Sequence, residues 1–265
     1  MTYARRLFLS LAPALLWVGC AAVPPAAEPQ VRAALAPTGT LRVGVYPGSP
    51  TSMVRDLKTG ETAGVAFDLG QALGRRLGVP VQVVEFSRVA QVLDALKAGQ
   101  VDFTFTNATE ARARDMDFTR PLVQLELGYL VPVGSPIAAV ADVDRPGVRV
   151  GVSQGSTSQG TLGRQFRSAA IVPAASLKQA QELLQRRQID AFATNKGILF
   201  EMSDELPGMR ILDGSWGLEH IAIAIPKGRE AGLPFVQQFA QEARTSGLLQ
   251  SAVSRSGLRG TVPTN

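Results

Sequence analysis

Three short stretches of this 265-residue chain combine residue types that bind anions and small polar molecules. The first holds Arg112, within Thr109-Glu110-Ala111-Arg112-Ala113-Arg114. A planar guanidinium grips a carboxylate through two parallel hydrogen bonds, which fixes orientation as well as adding energy. The bland alternative is a solvated arginine among Arg112, Arg114 and Arg120. The second stretch is Ser156, Thr157 and Ser158, which follow an apolar run and Gly155. Opening a helix there, they would offer hydroxyls and free backbone N–H groups to an anion, or simply cap the helix. The third is a pair, Asn107 and Asn195, each preceded by Thr at the end of a β-rich run. The segments that end in these two residues, 96–107 and 184–195, share Leu, then Gln, a β-branched residue and Asp at the same offsets.

Other chemistries are poorly supplied. A single Cys excludes a disulfide framework and a Cys-based zinc site. A single His, His220, leaves little room for a His-rich metal centre or a His-dependent triad. No nucleophile–base pair or metal-ligand spacing stands out, so no cofactor, metal or catalytic residue is expected. The 27 basic and 22 acidic residues give a formal charge of +5, but they are scattered, with no basic block interleaved with aromatics. Nucleic acid is therefore not an expected partner. With 45% hydrophobic residues the chain can bury a core, which excludes wholesale disorder.

The elements that must position these residues alternate along the chain. Apolar, β-branched runs at 41–45, 81–86, 101–106, 148–152 and 189–194 read as strands. Helical spacing over 65–77, 89–97 and 177–187 places helices between them, the first stopped by Gly78 and the second by Gly99. Such an order implies parallel strands with helical crossovers. Val148-Arg149-Val150-Gly151-Val152 echoes Leu41-Arg42-Val43-Gly44-Val45, so two related α/β lobes are expected. Parallel sheets place ligands at the carboxyl ends of their strands. Asn107 and Asn195 are thus expected to face each other across a cleft.

The first residues read as an address. Arg5 and Arg6 precede an apolar run, Leu7 to Val18, of signal-peptide length, and residues 1–20 are assigned to that signal. The Leu15-Leu16-Trp17-Val18-Gly19-Cys20 stretch resembles a bacterial lipobox, with Trp17 where such a box usually has Leu. Lipidation would fall on Cys20; ordinary cleavage after Ala22 or Ala27 is the alternative. Residues 21–39, rich in Ala and Pro, read as a tether, and the folded body is expected from about Thr40. No later segment is long and apolar enough to cross a membrane. Periplasmic export is expected, with the membrane reached only through a lipid anchor.

Four motifs, in order, resemble those of periplasmic solute-binding proteins of family 3, the polar amino-acid type. They are Gly64-Val65-Ala66-Phe67-Asp68-Leu69, Leu96 to Asp102, Thr109 to Pro121, and Val150 to Thr157, within a match running from about Leu41 to Arg259. The resemblance implies an α/β fold of the type II periplasmic-binding-protein kind, two α/β lobes joined by two hinge strands. The crossings are expected near Gly128 to Val133 and His220 to Ile225. Lobe 1 would hold residues 40–128 plus 222–265, and lobe 2 residues 133–219. The resemblance further implies that Arg112 holds a ligand carboxylate from lobe 1, that Ser156, Thr157 and Ser158 reach it from lobe 2, and that Thr104, Phe105 and Asn107 also line the site. Asn195, and less firmly Ser49 and His220, complete the expected set.

Two departures bear on the ligand. Amino-acid binders of this kind usually carry Asp where Asn195 stands, to pair with the ligand ammonium. They also often carry aromatics near Ser49 and Val89, and none is found at those positions. Either the ammonium is held by Glu219 or another carboxylate, or the ligand is an organic acid or modified amino acid. The function implied is capture of a small carboxylate for an inner-membrane ABC permease by a monomeric protein. Two alternatives remain. One is a sensing module for a separate receptor or kinase, since the sequence ends near Asn265 with no transmembrane or kinase segment. The other is a cyclohexadienyl dehydratase-like enzyme, disfavoured because Thr194 to Ile198 offers no carboxylate and Glu201 is the nearest.

Overall fold

The computed structural model describes residues 27–56 and 59–263. Cys20, its proposed lipidation and the signal segment lie outside the described residues. The body begins earlier than composition suggests. Pro29–Leu35 forms a helix, α1, where a tether is expected. Pro29 sits in its first turn, where a missing N–H costs nothing. Leu35 and Ala36 are buried in the core, and Arg229 donates to the Ala34 carbonyl at 2.8 Å. Apolar residues spaced along this segment thus dock it in place of the expected loose chain.

The first half then runs β1 (Leu41–Val45), a small hairpin of β2 (Val54–Arg55) and β3 (Thr62–Ala63), α2 (Val65–Leu77), β4 (Val81–Glu85) and α3 (Val89–Lys97). It continues through β5 (Thr104–Asn107), the single turn α4 (Glu110–Ala113), β6 (Met116–Phe118) and the long β7 (Val123–Pro132). The second half holds β8 (Arg149–Ser153), α5 (Thr157–Gln165), β9 (Ala170–Ala174), α6 (Leu177–Gln185), β10 (Ala191–Asn195), α7 (Lys196–Glu205) and β11 (Met209–Ile211). The long β12 (Gly217–Pro226), α8 (Leu233–Thr245), α9 (Leu248–Arg255) and β13 (Thr261–Val262) close the chain.

The two halves repeat one topology. In lobe 1, β4 lies parallel to β1, which meets the start of β5 through the Val43–Phe103 bridge, and β5 pairs antiparallel with β12. In lobe 2, β9 lies parallel to β8, β8 parallel to β10, and β10 pairs antiparallel with β7. The strands β7 and β12 pair with each other from Leu127–Gly217 to Val123–Ile221 and so connect the lobes. This mutual pairing spans 123–127, just before the expected crossing at 128–133, and 217–221, which meets the expected crossing at 220–225 only at His220 and Ile221. The reason is local: β10 occupies β7 at 127–130, and β5 occupies β12 at 221–224.

The sequence repeat becomes a repeated lock. The Arg42 guanidinium forks onto Asp102, with contacts of 2.8 and 2.7 Å, and donates to the Gly99 carbonyl at 2.6 Å. Arg149 forks onto Asp190 at 3.0 and 2.9 Å and donates to the Arg187 carbonyl at 2.6 Å. Each lock ties the opening strand of a lobe to the helix–strand junction that delivers a site asparagine. One apolar core surrounds α2, β1 and α8, and two flank the β7–β10 pair of lobe 2.

Candidate functional site

Arg112 is aimed by a one-turn helix. The Thr109 side chain caps α4 by accepting from the Arg112 backbone N–H at 3.3 Å. The turn folds the guanidinium back onto the end of β5, where Nη1 donates to Thr106 Oγ1 at 2.8 Å and to the Asn107 carbonyl at 3.1 Å. Nε and Nη2 have no partner among the described residues, so one edge of the fork remains open. Burial pushes the Arg112 pKa below its ordinary value, opposed by the charges of Glu219 and Tyr46.

Lobe 2 supplies the facing donors. After Gly155, whose φ of +74° suits a residue without Cβ, Ser156 caps α5 by accepting from the Gln159 N–H at 3.1 Å. Thr157 and Ser158 then stand in the first turn, with Ser158 buried. The Thr157 hydroxyl donates to Glu219 Oε1 at 2.8 Å and accepts from Asn107 Nδ2 at 3.4 Å, joining the lobes and the hinge. Asn107 therefore meets Thr157 across the cleft, and it also accepts from the His220 backbone N–H at 2.9 Å.

Asn195 ends β10 and caps α7, a helix not anticipated from the sequence. Its Oδ1 accepts from the Ile198 N–H at 3.1 Å, while Nδ2 donates to Glu219 Oε2 at 2.9 Å. Glu219 rises from β12 into the cleft and is buried. Strand alternation sends its neighbour His220 outward, where it is exposed. The inner site is a void of about 40 Å³. It lies next to a wider vestibule of about 710 Å³, which shares Asn107, Arg112, Ser156 and Thr157 with it. Arg112 and Glu219 are the charged side chains lining the inner void; the rest of its wall is hydroxyl, amide and apolar, including Tyr46, Val89, Phe105 and Ile221.

The structure thus gathers Arg112, Asn107, Phe105, Ser156, Thr157, Ser158 and Asn195 around one void. Three expected residues stand elsewhere. Thr104 donates to the Gly44 carbonyl at 2.9 Å, tying β5 to β1. Ser49 is fully buried, its hydroxyl 2.9 Å from that of Thr51. His220 points away. Conversely, an aromatic does reach the cleft: Tyr46, three residues before Ser49, lines the void, and burial pushes its phenol pKa up. Tyr46 directly follows β1, so the strand-end rule that selects Asn107 and Asn195 would also have selected it. Thr51 and Thr106, outside the expected set, also line the void.

Known proteins share this architecture. The family described as bacterial extracellular solute-binding proteins, family 3, matches residues 41–255. The ABC transporter glutamine-binding protein GlnH of Bacillus subtilis (strain 168) is 24% identical over 182 residues, which span 67% of this chain and 66% of that protein, just under two thirds of it. The crystal structure of the substrate binding protein of an amino acid ABC transporter superposes with a TM-score of 0.74 at 22% identity, covering 82% of this chain and 98% of that one. The ancestral amino-acid-binding protein AncCDT-1, described as a precursor of cyclohexadienyl dehydratase, gives a TM-score of 0.72 at 24% identity over 83% of this chain and 96% of that one.

Proposed function

The chain belongs to the bacterial extracellular solute-binding proteins, family 3, and from that premise we propose that it captures a small carboxylate, an amino acid or close derivative, for an ABC importer. One observation carries the reading. Arg112 is a half-buried guanidinium with one edge unpaired among the described residues, opening on a closed cleft whose far wall carries the first turn of α5. A carboxylate there would complete the guanidinium's hydrogen bonds and meet the Thr157 and Ser158 end of lobe 2 in the closed state. Ligand binding would then favour closure by adding contacts that separated lobes lack. The glutamine-binding and amino-acid-transporter names of the relatives agree with an amino-acid ligand. The assignment of residues 40–128 plus 222–265 and 133–219 to the two lobes, export to the periplasm, lipidation of Cys20, a monomeric state and delivery to a permease, in place of a sensing receptor, are parts of the same proposal.

Binding is proposed over turnover. A buried carboxylate does stand in the cleft, Glu219, although the sequence near Asn195 offers none. Both its oxygens accept hydrogen bonds, from Thr157 and Asn195, which ties the carboxylate into the network joining the lobes, and the relatives named above are binding proteins. The test is a thermal-shift screen over the twenty L-amino acids and common organic acids, run on wild type and Arg112→Ala. A carboxylate should raise the wild-type melting temperature and leave the folded variant unmoved. Equal shifts in both proteins would sink the role given to Arg112.

A further inference from the structure

We infer that the outer lip of the cleft, where Ala90 of lobe 1 meets Gly155 of lobe 2, sets how far the lobes close and thereby how tightly a ligand is held, although the contact itself joins protein to protein. Ala90 and Gly155 are thus positioning residues for capture. The inference rests on the closure step of the proposed function and adds the residues that limit it.

Strand order puts this lip far from the hinge. In lobe 1 the order outward from β12 is β5, β1, β4, and α3 follows the outermost of them. In lobe 2 the order outward from β7 is β10, β8, β9, and β9 leads into α6. The lobes meet across these outer ends. Arg88, which precedes α3, donates to the Ala175 carbonyl ahead of α6 at 3.5 Å. Tyr46 packs on the lobe 2 core that holds Leu177, the first residue of α6. Leu177 is buried, and a Cβ at Gly48 would stand 3.2 Å from its Cδ1. Contacts far from a hinge separate most as it opens, so they stabilise the closed form alone.

Gly155 is the tightest point of the lip. A Cβ there would stand 2.5 Å from the Ala90 Cβ, well inside carbon–carbon contact distance, and 3.8 Å from the Ala90 Cα, an ordinary contact. The approach therefore needs bare backbone on one side and no more than a methyl group on the other. Gly155 directly precedes the Ser156–Ser158 run, so the clearance here is also the clearance with which that run approaches Arg112. A side chain in the gap would prop the lobes apart, lower the closed fraction and weaken the apparent affinity in proportion.

The test separates this contact from the left-handed backbone of Gly155 by a rescue. Affinity is measured by titration calorimetry for whichever of the twenty L-amino acids and common organic acids raises the wild-type melting temperature most. Gly155→Ala should bind that compound about tenfold or more weakly, and at saturation should keep a larger radius of gyration than wild type. Adding Ala90→Gly should recover most of the affinity and the compaction, because only the 3.8 Å contact with the Cα then remains. Both changes cost stability, one through φ and one through a glycine in a helix, so the double variant should melt below Gly155→Ala while binding better. A merely structural role would lower both together. Ala90→Val, which fills the gap from α3 and leaves Gly155 untouched, should weaken binding likewise and decides the matter where Gly155→Ala does not fold. Wild-type affinity in the single variants, or a double variant as weak as Gly155→Ala, would overturn this inference and leave the carboxylate reading standing. Failure of every compound to shift wild type would overturn both.

Discussion

The Asn195 amide serves two masters, since its oxygen caps α7 at the Ile198 N–H and its nitrogen donates to Glu219. Asn195→Asp should keep the cap and replace a donor with a second anion facing Glu219. The expected cost is about 1–3 kcal/mol in a denaturant melt without ligand. An unchanged midpoint would show that Glu219 does not depend on this amide. Arg112, Asn107 and the Ser156–Ser158 run were legible in the sequence because each sits in a local pattern: a capped turn, a strand end, a helix start. Glu219 could be suspected but not placed, because its position depends on β12 pairing with β7 and β5, partners that lie about 100 residues away. A search for carboxylates near Asn195 along the chain finds Glu201 first. That residue lies in α7 outside the inner void, and burial, together with Glu205 and Asp204, raises its pKa.

The helix–strand junctions show how far a repeat can be read. The spans expected for the two helices at 65–77 and 89–97 coincide with α2 and α3, whose apolar spacing and terminal glycines leave little choice. Helices α1, α7, α8 and α9 are not among the expected ones: α1 lies in the Ala/Pro-rich stretch that composition reads as a tether, and α7 lacks a clear one-sided apolar stripe. The repeat itself also predicts a strained position. Gly99 follows α3 in the left-handed region, at φ 65°, and Arg187 occupies the same place after α6 at φ 54°. Both carbonyls accept the strand arginine of their own lobe, so the backbone there is fixed by the lock. A residue with Cβ is penalised in that conformation where glycine is not. Arg187→Gly should therefore raise stability by about 1 kcal/mol, read as an upward shift of the thermal midpoint. A lower midpoint would mean that the Arg187 side chain contributes more than the strain removes.

Two hinge strands are the expected connection between lobes, yet the chain's end adds a third. After α9, which packs on α2 in lobe 1, the tail crosses to α7 of lobe 2. Arg259 stacks over Phe200 at 4.7 Å and pairs with Asp204 on that helix. The Gly260 carbonyl then accepts from the Glu126 N–H at 3.2 Å, and β13 pairs with β7 at Gln124 and Leu125. Within the proposed lobe 1 segment 222–265, this tail reaches lobe 2, and a short polar tail carries no sign in the sequence of where it docks. Lying between α9 and α7 beside the hinge, the tail should resist separation of the lobes as well as add stability. An exposed cation–π contact, one surface ion pair and a two-residue strand together suggest about 2 kcal/mol, or a fall of about 4–8 °C in melting temperature. Truncation after Leu258 leaves the buried Leu258 in place and removes these contacts. The shortened protein should melt earlier and, without ligand, show a larger radius of gyration in solution scattering as the lobes part more often. Were both quantities to match wild type, the tail would be a passive end and the two hinge strands alone would govern opening.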